Sequence, residues 1–159
     1  MDQDAKRHIS GKKIVLVFVL LVVGLVVGSV YYTLGIVRRT VFLQYSETQM
    51  IVTLRALQSF ALDHGERLPT PIEWPDALVN DGTIDELMLI SPKEDGDGIS
   101  YIYVPGPFTI DKTQILIYED PKHWPKQGVL VGFADAHVEF VPFDEFDRML
   151  AAQQSQTDD

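Results

Sequence analysis

The chain has 159 residues, a net charge of −10 and no cysteine. The charge is divided: residues 1–39 hold six Lys/Arg against two Asp (net +4), whereas residues 40–159 hold seven Lys/Arg against 21 Asp/Glu (net −14). An acidic domain excludes nucleic acid as a partner, because phosphate binding needs a basic face, and the lack of cysteine removes disulfides, thiolate nucleophiles and Cys-ligated zinc.

Residues 1–13 are a short basic N-terminus. Residues 14–37, from Ile14 to Val37, then run without a single charge (IVLVFVLLVVGLVVGSVYYTLGIV). A helix rising ~1.5 Å per residue needs about 20 apolar residues to cross a ~30 Å hydrocarbon layer. The run therefore predicts a transmembrane helix and a lipid bilayer as the first partner. It is too long for a core helix of so small a chain. It also exceeds the roughly 7–15-residue apolar stretch of a cleaved signal peptide, and no A-x-A-like site follows it. Lys6, Arg7, Lys12 and Lys13 precede the span and Arg38 and Arg39 follow it. The excess before the span predicts a cytoplasmic N-terminus and an extracytoplasmic domain. Gly24 and Gly28, four apart, would allow the span to approach a second span closely and self-associate.

No helix breaker ends the span. Met50, Leu54, Leu57 and Ala61 continue as one apolar stripe, so the helix is expected to run on to Asp63, about 75 Å in all, with Gly65 as its stop. Residues 66–98 read as loops with short helices, one opened by Pro75 and one over Ile84–Ile90. Four strands follow at Ile99–Val104, Gln114–Glu119, Gly128–Ala134 and His137–Val141, with gaps short enough for antiparallel pairing. Asp144–Gln153 is expected to form a terminal helix, and residues 154–159 a disordered tail. Residues 38–153 thus make one extracytoplasmic domain. The expected class is α+β: a long N-terminal helix, transmembrane then amphipathic, packed on a small antiparallel sheet.

A spanning helix that continues into an amphipathic half and then a small antiparallel sheet resembles the type IV pilin and type II secretion pseudopilin build. The run Leu57-Gln58-Ser59-Phe60-Ala61-Leu62-Asp63-His64-Gly65-Glu66-Arg67-Leu68-Pro69-Thr70 is similar to the helix end of major pseudopilins, where Tyr-x-x-Asp-(Asn/His)-Gly-x-Tyr-Pro-Thr is common. Ser100-Tyr101, Tyr118-Glu119-Asp120, His123 and Phe133-Ala134-Asp135-Ala136-His137-Val138-Glu139 resemble the C-terminal half of planctomycete-type pilin-like proteins that end in a His-x9-Asp-Gly-His element. The resemblance covers most of residues 45–141. It implies a pilin-like fold in the bacterial inner membrane, a periplasmic domain, and other pilin-like or secretion-system subunits as partners. The chain departs from the pattern at three places. Gly11 is followed by Lys12-Lys13-Ile14-Val15-Leu16, with Leu16 where prepilins carry an acidic residue. Eleven residues separate His123 from Asp135, and Ala136 stands in place of Gly. A two-residue turn with positive φ suits Ala poorly, so the last hairpin is expected to use a different turn or a bulge.

The residues with the chemistry of a site are His123, Asp135 and His137, with Glu119 as a further candidate. Imidazole and carboxylate together suit zinc or another divalent metal. The competing reading has Asp135 supporting the hairpin turn and His137 projecting from a strand. Glu94-Asp95-Gly96-Asp97-Gly98 is similar to a calcium loop but has Gly106 at its twelfth position, where an EF-hand needs Glu. Ser59 and Ser100 lack any nucleophile motif, and there is no phosphate loop or His-Glu-x-x-His, so the chain reads as a non-enzyme. Trp74 and Trp124 read as packing or rim aromatics. The expected function is a membrane-anchored pilin-like structural or interaction subunit that stays fixed in the membrane. The alternative is an extracytoplasmic metal- or ligand-binding module on a single-pass anchor.

Overall fold

The computed structural model describes residues 11–94, 96, 98–125 and 127–157. Its order is α1 (Gly11–Asp63), α2 (Asp76–Asn80), a 3-10 turn (Glu86–Leu89), β1 (Tyr101–Tyr103), β2 (Ile115–Glu119), a second 3-10 turn (Pro121–His123), β3 (Val129–Phe133), β4 (Val138–Val141) and α3 (Phe143–Thr157). The chain is an α+β protein with a long N-terminal helix and a four-stranded antiparallel meander, β1-β2-β3-β4. The chain divides into two compact units, one up to Val41 and one from Phe42 onward.

In the first unit every residue from Val15 to Val41 is exposed. α1 is the one helix among the described residues that is long and apolar enough to cross a membrane. Two of its hydroxyls bond within the helix, Thr33 to the Ser29 carbonyl at 2.9 Å and Thr40 to the Ile36 carbonyl at 3.1 Å. A helix needs this self-sufficiency in lipid, where no water is available to backbone or side chain.

In the second unit α1 has a buried face. Ser46, Gln49, Met50, Thr53, Leu54, Leu57, Phe60 and Ala61 are buried, at the 3–4-residue spacing of one helix side. The helix stops as the sequence suggests: Gly65 takes φ +68°, and the Glu66 N–H returns to the Ala61 carbonyl at 2.7 Å.

The sheet is covered on both faces. Strand alternation sends Leu130 and Gly132 toward α1, and Val129, Val131 and Phe133 toward α3. In β2 a bulge between Ile115 and Ile117 breaks the alternation. As a result Leu116 and Ile117 both join the α1-side core, and Ile115 joins the α3-side core. Gly132 is the point of closest approach: a Cβ there would stand 2.8 Å from Leu54 Cδ1 and 3.0 Å from Met50 Sδ. α3 lays Phe146, Met149 and Leu150 on the other face. Its Gln153 carboxamide bonds both main-chain groups of Ile115, accepting from the N–H at 2.7 Å and donating to the carbonyl at 2.9 Å.

The strands and the short helices lie within a few residues of their expected positions. The tail differs: α3 begins at Phe143 and runs through Thr157, so residues 154–157 are helical, not disordered. Met149, Leu150 and Gln153 hold the helix to the sheet, and nothing in Gln-Ser-Gln-Thr breaks it. Asp158 and Asp159 lie outside the described residues, as do residues 1–10 of the basic N-terminus.

Candidate functional site around Glu119

Glu119, the last residue of β2, is fully buried. A buried carboxylate is costly unless hydrogen bonds replace its water, and four side chains do so here. Oε1 accepts from the Ser46 hydroxyl at 3.3 Å and from the Ser91 hydroxyl, and lies 3.1 Å from His123 Nδ1; Oε2 accepts from Trp124 Nε1 at 2.9 Å. The donors come from α1, from the loop before β1 and from the turn after β2.

Local sequence sets that turn. Asp120 accepts from the Lys122 N–H at 2.9 Å and Pro121 opens the 3-10 turn, which swings His123 and Trp124 back over Glu119. On the outer side, His123 Nε2 lies 3.2 Å from Glu94 Oε2, and Glu94 pairs with Lys122 Nζ at 2.9 Å. Lys93 Nζ donates to the His123 carbonyl at 2.7 Å and sits 3.2 Å from the centroid of the Trp124 ring. The Lys122 ammonium holds the Glu94 carboxyl below its ordinary range. Asp120 is also lowered: burial opposes the charge, but the Lys122 N–H and ammonium outweigh it. Burial, and then the charge of Glu119, push the Tyr101 phenol well above its usual value. That hydroxyl donates to the Ser46 carbonyl at 3.2 Å. Among the described residues no buried side-chain polar atom lacks a partner.

This arrangement clamps α1, the loop before β1 and the turn after β2 together. The two nitrogens of His123 face carboxylates on opposite sides of the ring, so Glu94 and Glu119 are not placed to share one ion with a single His123 nitrogen.

The proposed trio of His123, Asp135 and His137 does not come together. His123 stands beyond the Glu119 end of β2. Asp135 and His137 lie in the turn after Phe133, which pairs with Ile115 at the other end of β2. Four residues of strand, about 13 Å, lie between the two ends. The nearness of these residues in sequence is undone because β2 and β3 run antiparallel. Among the described residues no three His, Asp or Glu side chains gather as a metal-holding group. Of the four candidates, Glu119 and His123 do meet.

Asp135 and His137 instead build the hairpin. Asp135 accepts from the His137 N–H at 3.1 Å and also bonds its Nδ1, an interaction that lowers the Asp135 pKa. The His137 ring stacks on Phe133 with centroids 4.2 Å apart. The Ala136 N–H reaches the Phe133 carbonyl at 2.9 Å, the Phe133 N–H reaches the His137 carbonyl at 3.0 Å, and Ala136 takes φ +68°. This is a three-residue loop closed by a left-handed bulge, not a two-residue turn.

The remaining candidates are accounted for locally. Ser100 is buried and accepts from the Ser91 N–H at 2.8 Å, whereas Ser59 is exposed. His64 stacks on Phe60 at the end of α1. Trp124 is core, and Trp74 stacks on Tyr103 with centroids 5.1 Å apart. Asp95 and Asp97 of the calcium-like loop lie outside the described residues. A groove of about 750 Å³ runs between residues 106–114 and Met149–Gln153, but its polar side chains bond within the fold, Asp111 to Thr113 and Gln114 to the Pro107 carbonyl.

Sequence reading misses Ser46, Ser91 and Glu94 as members of the Glu119 cluster. The available signal is Ser46, a hydroxyl four residues before Met50 on the otherwise apolar stripe. No family model, curated protein or solved structure matches the chain.

Proposed function

We propose that the chain is a membrane-anchored, pilin-like structural or interaction subunit, linked to or derived from a type II secretion or type IV pilus system. The observation that carries this reading is α1. A single unbroken helix is exposed and uncharged from Val15 to Val37, and then buries one side against an antiparallel sheet. In this reading the helix that spans runs on without a break into the spine of the domain. The proposed location is the bacterial inner membrane, with the N-terminus cytoplasmic and the domain periplasmic, following the basic excess before the span. The proposed partners are the bilayer and other pilin-like or secretion-system subunits, with Gly24 and Gly28 as a close-approach face between spans.

Leu16, at the position of the prepilin acidic residue, supports a subunit that keeps its N-terminus and stays in the membrane. Mass spectrometry of the native protein tests the reading. An intact N-terminus in an alkali-resistant membrane fraction, with cross-links to secretion-system subunits, is the expected result. Cleavage after Gly11 would instead make it a processed fibre subunit, and cleavage after Val37 would refute the anchor.

A further inference from the structure

Over Met50, Leu54 and Leu57 the buried side of α1 presents side chains of similar volume at turn spacing. Met50, Leu54, Leu57 and Ala61 follow one another at turn spacing and all enter the same core. Apolar contact is non-directional. A slide of one turn, about 5.4 Å, would put Leu54 where Met50 or Leu57 sits, and cores tolerate swaps of similar volume. Over these three positions hydrophobic packing alone separates this seating poorly from its neighbours, and the apolar opposition to a slide comes from the unequal volumes of Ala56 and Phe60 and of Leu57 and Ala61.

The polar contacts along the same face are directional. Ser46 donates to Glu119 at 3.3 Å. Gln49 donates to the Leu87 carbonyl at 3.1 Å and accepts from the Tyr101 hydroxyl at 3.4 Å. Gln58 donates to the Ala134 carbonyl at 2.7 Å. Sliding the helix one way brings Phe42 or Leu43 to the place of Ser46; the other way brings Gln49 or Met50. Three of those four side chains offer Glu119 no donor. The place of Gln58 would be taken by Leu54 or Arg55, or by Ala61 or Leu62, none of which bonds the Ala134 carbonyl with a neutral amide. Three of the four shifts would leave a buried carboxylate short of a partner, and the fourth, which brings Gln49 to Glu119, takes that amide from the Leu87 carbonyl.

We infer that Ser46, Gln49 and Gln58, acting with Glu119, are an axial register key: they fix one seating of α1 on the sheet and exclude those a turn away. Single buried polar residues fix register in paired helices by the same physics. The inference goes beyond the proposed function and does not depend on the identity of any secretion system. It gives the helix that carries the span a defined stop against axial sliding.

Because the chain has no cysteine, two introduced cysteines can carry nitroxide labels without background. Ser59→Cys on the exposed side of α1 and Glu139→Cys on β4 are both at exposed positions. Electron-electron resonance on the full chain in detergent micelles reads the distance between them. The unmodified key should give one narrow distribution. Replacing the key with apolar residues (Ser46→Ala, Gln49→Leu, Gln58→Leu, Glu119→Leu) should add a second population displaced by up to about 5 Å, one helical turn. A single unchanged distribution in the folded variant would overturn the inference, because a merely stabilising role changes the melting temperature and not the distance. If the fourfold variant does not fold, Ser46→Ala with Gln58→Ala, which leaves Glu119 in place, provides the same readout and is judged by the same two outcomes.

Discussion

The two parts of α1 belong to one helix but differ in burial. From Val15 to Val41 every side chain is exposed, and the Thr33 and Thr40 hydroxyls bond to carbonyls of the helix itself. From Phe42 to Asp63 one side is buried, and its polar residues bond to the loop before β1, to Glu119 and to Ala134. Helix propensity is lower in the Val- and Gly-rich first part, so it does not explain why the second part is the one that packs on the sheet. The first part buries no side chain in the folded domain, and its exposed apolar surface is what a lipid layer would cover. The second part holds up the core. The contrast shows that continuity of secondary structure does not imply continuity of function.

Identical substitutions in the two parts should therefore have unequal effects. Leu54→Ala, at a fully buried position, should destabilise the domain by about 2–5 kcal/mol. Leu25→Ala, where the side chain is 73% exposed, should leave unfolding unchanged within about 0.5 kcal/mol. Urea unfolding of both variants in the same detergent measures the gap, and equal effects would abolish the distinction. Gly132→Ala probes the closest approach of helix and sheet: the new Cβ crowds Leu54 and Met50 and should cost about 1–3 kcal/mol in the same assay. Ala136→Gly acts outside α1 and in the opposite direction. It relieves an L-residue at φ +68° and should raise stability by about 0.5–1 kcal/mol, partly offset by a more flexible unfolded chain.

The smallest expected effect lies just past the end of α1. Glu73 bonds Arg67 at 2.9 Å and the Thr70 N–H at 2.7 Å, and these donors hold its pKa down to about 2. A carboxyl lowered on folding contributes stability above its ordinary pKa and loses it as pH falls toward the folded value. Wild type and Glu73→Gln should therefore differ at neutral pH and converge as pH falls from about 4.5 to about 2, as read by thermal melts across that range. Because Glu73 is exposed, the difference should be slight and should shrink in salt.

The fold was largely legible because it rests on period and punctuation. The charge-free run, the Met50–Ala61 stripe, Gly65 and four short β-rich segments each carry their meaning locally. The Glu119 cluster was not legible, because its members, Ser46, Ser91, Glu119 and His123, span 78 positions and meet only once the bulge in β2 sets which way Glu119 faces. Periodicity does not reveal a bulge; a one-residue shift in facing reverses which side chains are inside. The trio of His123, Asp135 and His137 fails for another reason: its grouping requires the two ends of β2 to be one place, and the antiparallel pairing of β2 with β3 sets them apart.

The Gln153 carboxamide imitates a strand. It offers Ile115 one acceptor and one donor, past the point where β1 has ended. An uncovered strand edge is a template on which other chains can pair and precipitate. By occupying Ile115, the last turns of α3 blunt that edge. A truncation or fusion that removes residues from Gln153 onward would bare it, and the resulting fault would be loss of solubility, even though the core residues remain in place.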